Sequence, residues 1–140
     1  MANGPPASAL CFLSELRTKR AGDKVRFLGC VTAYAVASGV LTLEHAYPQP
    51  PATAGDRARV DVRLLVEQLG AEQVRVGEWV NVIGYVTAGA QKTAAQKSSG
   101  RNEDTTADVP VQAILLWSAG PLDVQTYERR LAAVTQGMPH

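Results

Sequence analysis

The stretch Arg75-Val76-Gly77-Glu78-Trp79-Val80-Asn81-Val82-Ile83-Gly84-Tyr85-Val86 constrains the fold more than any other part of the chain. Glycine inside a strand weakens the sheet, and its usual reason to be there is a bulge or a tight bend where a small barrel turns a corner. With a period of two, Val80, Val82 and Val86 share one side and Trp79, Ile83 and Tyr85 the other. Both faces are largely apolar. A strand with one covered face alternates apolar and polar residues, so this pattern predicts a barrel core on one side and a second covering on the other.

Other segments supply the remaining strands. From Lys24 to Tyr34 the pattern places Val25, Phe27, Val31 and Ala33 on one side and Lys24, Arg26, Thr32 and Tyr34 on the other, with Gly29 where a long coiled strand bends. Ser38-Gly39 is a turn into a second strand, Val40 to His45. Pro48 to Asp56 is rich in proline, alanine and glycine and cannot be regular structure. A third strand, Arg59 to Leu64, points Val60 and Val62 inward and Arg59, Asp61 and Arg63 outward. It runs into a short helix, Leu65 to Gly70, closed by Gly70.

After the opening stretch, Ala88 to Asp108 has hardly a large apolar residue. Such composition cannot offset its ordering entropy, so the segment reads as a mobile loop. Val109 to Trp117 is a fifth strand, and Asp123 caps a final helix running to about Gln136. The first eight or so residues read as a flexible start, and Ala9 to Leu13 as a short apolar anchor. Three strands, a short helix, two strands and a terminal helix are the order of an all-β domain: a five-stranded Greek-key barrel of the oligonucleotide/oligosaccharide-binding type, the OB-fold. One such domain accounts for all 140 residues.

Charge narrows the function. With 14 Lys+Arg against 13 Asp+Glu the net charge is +1, so the chain is not held to nucleic acid or an anionic membrane by charge alone. Cys11 and Cys30 have no metal-ligand spacing and read as buried free thiols of a reducing compartment. No segment approaches the roughly 20 apolar residues that span a bilayer, and a soluble intracellular chain is expected. Catalysis finds little support: the two histidines are His45, read as a structural residue at a strand end, and the terminal His140. Ala90-Gln91 stands where a phosphate loop needs Lys-Ser/Thr, and Ser118 lacks the glycines of a nucleophile elbow. The expectation is a non-enzyme with no cofactor, metal or small-molecule substrate.

The terminal helix carries an apolar stripe, Val124, Tyr127, Leu131 and Val134. The stripe either packs on the chain's own barrel or meets a partner. A small barrel is filled by its own side chains, so an appended helix has mainly the outer surface to cover, where Trp79 and Ile83 add apolar area. A helix-mediated heterodimer is therefore favoured, with those six residues as its contacts. For single-stranded nucleic acid the candidates are Arg26, Tyr34, Arg59, Arg63 and Tyr85, which outward strand positions bring toward one surface, with Lys92, Lys97 and Arg101 as possible loop contributions. As a stand-alone site this set is thin.

Phe12-Leu13-Ser14-Glu15-Leu16, Lys24-Val25-Arg26-Phe27-Leu28-Gly29-Cys30-Val31, Leu41-Thr42-Leu43-Glu44-His45, Val60-Asp61-Val62, Gly77 to Val86 and Val111 to Gly120 occur in an order that resembles the fungal Ten subunit family, the smallest subunit of the CST (Ctc–Stn–Ten) telomere-capping complex. The resemblance implies a single OB-fold that pairs with the amino-terminal OB domain of the Stn subunit, as the small subunit of replication protein A pairs with its middle subunit. It further implies assembly with the Ctc subunit, residence in the nucleus at telomeres, support for holding the single-stranded overhang, and a link to polymerase alpha–primase in lagging-strand fill-in. The other reading is an independent single-strand-binding module, or a replication-protein-A-like small subunit outside telomeres.

Overall fold

The computed structural model describes residues 8–45, 57–88 and 108–135. The segment Pro48 to Asp56, most of Ala88 to Asp108 with Lys92, Lys97 and Arg101, the first seven residues and Gln136 lie outside the described residues. Strand β1 (Ala9–Leu10) is followed by a 3-10 turn (Leu13–Thr18), β2 (Lys24–Ala35), β3 (Val40–Glu44), β4 (Arg57–Asp61), two more 3-10 turns (Arg63–Leu65 and Ala71–Val74), β5 (Trp79–Val86), β6 (Val109–Ser118) and helix α1 (Val124–Thr135). The sheet runs β1-β2-β3-β4-β6-β5, and β2 also pairs with β5. That pairing closes β2 to β6 into a five-stranded barrel, the expected OB-fold.

Closure depends on β2 serving two partners. Its residues Lys24 to Cys30 pair antiparallel with β5, while Cys30 to Ala35 pair with β3. The strand therefore coils sharply around Gly29, where an added Cβ would stand 2.8 Å from Leu43 Cβ and 3.0 Å from Leu13 Cδ1. A second corner lies opposite Gly84, where the β5–β6 register shifts between Ile83 and Gly84. Here a Cβ would lie 2.3 Å from the Gln112 carbonyl oxygen, so only glycine permits the strands to approach this closely.

Alternation fills the barrel. Val80, Val82 and Val86 of β5 are buried, with Val25, Phe27 and Val31 of β2, Leu41 and Leu43 of β3, Val60 of β4, and Val109, Val111 and Ala113 of β6. Leu13 and Leu16 of the first 3-10 turn belong to the same core. That turn is held by the Phe12 N–H donating to Glu15 Oε1 at 2.8 Å.

Three expectations are corrected. The β2–β3 register shifts between Val31 and Ala33, so the alternation slips by one residue: Ala33 is exposed, and Tyr34 packs against the core instead of facing outward. The third strand begins at Arg57 and ends at Asp61, two to three residues earlier than its sequence suggested, although Val62 remains buried. No α-helix forms over Leu65 to Gly70. Leu65 is buried and Leu69 packs against the core, while Leu64 and Val66 are exposed, and so narrow an apolar stripe does not hold a helix nucleus that six residues cannot sustain. Gly70 has φ −93° and precedes the third 3-10 turn, rather than closing a helix.

Candidate partner and nucleic-acid surfaces

Helix α1 begins where Asp123 accepts the Thr126 N–H at 3.2 Å and the Thr126 hydroxyl at 2.8 Å. Those bonds hold the Asp123 carboxyl below its usual range, the hydroxyl contributing most. The helix lies on the outside of the barrel over a second apolar cluster. Phe12, Leu28 and Leu131 are buried yet stand apart from the barrel core. Around them the rings of Phe12 and Tyr127 meet edge-on at 6.5 Å, and those of His45 and Trp79 at 5.1 Å.

His45 is the polar member of this cluster, 4% exposed, with Nε2 at 2.7 Å from Glu128 Oε2. It is thus a structural residue, joining the end of β3 to α1. Burial pushes the Tyr127 phenol up to about 12, with Cys11 raising it further and Arg26 opposing.

These contacts correct the picture of a free helical stripe. Leu131 is 3% exposed and Tyr127 is half-buried against its own chain, whereas Val134 is 69% exposed and Val124 half-exposed. Trp79 and Ile83 are both half-buried on the outer face of β5. The six contact candidates therefore divide: Trp79, Tyr127 and Leu131 seat the helix, while Val124, Val134 and Ile83 stay accessible. The His45–Glu128 contact spans 83 residues of sequence, and no local signal announces it.

The five nucleic-acid candidates do not share one surface. Arg26 is exposed on β2, with its guanidinium 5.4 Å from the Trp117 ring centroid. Tyr85 on β5 lies beneath Lys24 Nζ at 6.0 Å. Arg59 stands on β4, beside a groove of about 530 Å³ bordered by Val40, Asp61, Asp108 and Gln112. An adjoining depression of about 470 Å³ includes Thr42, Glu44 and Arg57. Arg63, another arginine of this set, is exposed with its guanidinium paired with Asp61, Nη2 to Oδ2 at 2.7 Å. The same hydrogen bond is the main cause that lowers the Asp61 carboxyl pKa. Tyr34 leaves the set because the strand slip turns its ring to the core.

Among the described residues, the groove over β3, β4 and β6 is electrically balanced. Arg57 donates to Asp108 at 3.0 Å, and Glu44 and Asp61 offset Arg59 and Arg63. Cys11 is buried, which pushes its thiol up to about 11. The Cys30 thiol is raised by burial and then by Glu44 and Glu78. The Ser118 hydroxyl donates to the Glu78 carboxylate and accepts the Gly120 N–H, tying down the end of β6. Among the described residues, no three His, Cys, Asp or Glu side chains gather as they would to hold a metal, and no helix is long and apolar enough to cross a membrane.

A closed five-stranded barrel with its helix folded over the outside is an OB-fold. Two structures from Schizosaccharomyces pombe share it: the Stn1–Ten1 complex (20% identity, TM-score 0.63, covering 96% of this chain and 97% of that one) and the telomere capping protein Ten1 (20%, 0.63, 93% and 99%). Ustilago maydis replication protein A bound to single-stranded DNA is similar at 13% identity and TM-score 0.55, covering 92% of this chain and 90% of that one. A comparison with proteins of curated function finds no match. The family model described as Ten1, telomere capping, CST complex subunit, matches residues 1–132, and the chain belongs to that family.

Proposed function

We propose that this chain is the small, non-catalytic OB subunit of a CST complex. It pairs with the amino-terminal OB domain of a Stn-type subunit, joins a Ctc-type subunit through that pair, and supports single-stranded telomeric DNA binding at chromosome ends in the nucleus. End protection and lagging-strand fill-in are the processes this assembly serves. Family membership over residues 1–132 carries the reading.

The geometry of helix α1 supports this reading. Helix α1 is already fixed to the barrel by Leu131, Tyr127 and the His45–Glu128 contact, so a partner meets a rigid ridge and not a loose peptide. Such pre-organisation lowers the ordering cost of association. Val124 and Val134 flank this ridge with accessible apolar area. A Val124→Asp/Val134→Asp variant should lose pairing with a Stn-type partner by about thirtyfold or more while melting like the natural chain, because a carboxylate at a desolvated contact lacks a counter-charge. Titration of the purified chains reads this out, and normal pairing by the variant would sink the proposed interface.

The alternative, an independent single-strand binder, is favoured by the fold shared with replication protein A. Tight, steeply salt-dependent binding by the lone chain at physiological salt would support it instead. The balanced charge of the β3–β4–β6 groove argues against that outcome.

A further inference from the structure

The groove over β3, β4 and β6 is not the only outer face with cations. On the adjoining side of the barrel, register places Leu10, Arg26, Ile83 and Leu115 in one row across β1, β2, β5 and β6. A neighbouring row holds Lys24, Tyr85 and Gln112. Arg26 reaches diagonally to Trp117, which pairs with Asn81. None of these positions carries a carboxylate. Leu115 is 53% exposed, Leu10 42%, and Arg26 is exposed, so the first row is open rather than covered by α1, and the second is half-buried.

Resting on the nucleic-acid part of the proposed function, we infer that this β2–β5–β6 face is the surface on which the chain takes a single-stranded nucleic acid, by its phosphates and its bases, and that the groove bordered by Arg59 is not. Two observations point there. Among the described residues the face carries two cations, and the carboxylate next along its second row, Asp61 beside Gln112, is engaged by Arg63, whereas in the groove Asp108 engages Arg57 and Glu44 stands beside Arg59. It also pairs each cation with a ring, Lys24 with Tyr85 and Arg26 with Trp117. A single strand needs phosphate neutralisation next to π-faces on which bases stack, and this face supplies both within two strands' width. Ile83 and Leu115 provide the apolar floor between the pairs. The assignment takes Ile83 out of the protein interface and splits the candidate set, keeping Arg26 and Tyr85 and releasing Tyr34, Arg59 and Arg63.

The test uses the isolated full chain and an 18-nucleotide single strand in low salt, followed by anisotropy and by tryptophan quenching. Lys24→Gln/Arg26→Gln should lose about tenfold to thirtyfold in affinity near 0.1 M salt and flatten the salt slope by about 1.4, since each phosphate on a single strand contributes about 0.7. Arg57→Gln/Arg59→Gln should leave both unchanged. Strand addition should quench Trp117 fluorescence, and Trp117→Phe should remove that part of the quenching. Titration with the Stn-type partner runs in parallel: Lys24→Gln/Arg26→Gln should pair normally, which separates this face from the helix interface. The assignment is overturned if the groove variant is the one that loses affinity, if no strand binding is measurable at low salt, or if Lys24→Gln/Arg26→Gln loses partner pairing instead of strand binding.

Discussion

Gly84→Ala is the substitution whose cost the structure specifies most directly. The new Cβ would lie 2.3 Å from the Gln112 carbonyl oxygen, 2.9 Å from its carbon and 3.0 Å from Ala113 Cα. All three are backbone atoms of β6, so no side chain can swing aside. Relief requires separating β5 from β6 by about 1 Å at the corner where their register shifts, within a barrel whose closure leaves neither strand free. Overpacking of this kind costs about 1–3 kcal/mol, or more when backbone must move. Replacing a strand glycine returns about 0.5–1 kcal/mol through the unfolded chain. The net loss is about 2 kcal/mol, which for a domain of this size lowers Tm by about 8 °C. Thermal and urea unfolding measure it, with Gly70→Ala as control: φ there is −93° and the nearest atom to a Cβ is 3.7 Å away. That control should stay within about 2 °C of the natural chain. Equal melting of Gly84→Ala and the natural chain would mean that the strands do not approach at this corner, and the closure argument would fail with it.

Leu131→Ala should destabilise the natural chain by about 2 kcal/mol or more, because Leu131 is 3% exposed under the docked helix. Amide exchange in 124–135 should accelerate more than in β5, and unchanged protection there would show that the helix is not seated by this residue. Acid should weaken the fold in part through Asp61 and Asp123, whose folded pKa values are lowered by the Arg63 and Thr126 hydrogen bonds respectively. Since lowered carboxyls stabilise above their unfolded pKa of about 3.9 and lose that contribution as pH falls through the folded value, Asp61→Asn/Asp123→Asn should flatten the decline in unfolding free energy below about pH 4. Parallel curves for variant and natural chain would contradict both assignments.

Features with a local cause were legible in the sequence. The period of β5, the bend at Gly29, the corner at Gly84 and the Asp123 cap each depend on a residue and its near neighbours, and each stands where the sequence pointed. The OB order of elements followed from them. The extra residue at Thr32 did not show itself, because a bulge is defined only against the partner strand; it reversed the facing of Ala33 and Tyr34. Nor did the outward arginines reveal their surroundings. Arg26 is open beside Trp117 and Arg57 is paired with Asp108 because barrel closure brings β6 next to both β4 and β5, and that adjacency is nowhere in the local pattern. The helical stripe was visible as a stripe, yet the sequence pattern assigned all of it to a partner. Leu131 and the His45–Glu128 contact decided what it touches only in three dimensions, because burying an apolar face needs a surface to bury it against, and here the surface is the outside of the chain's own barrel.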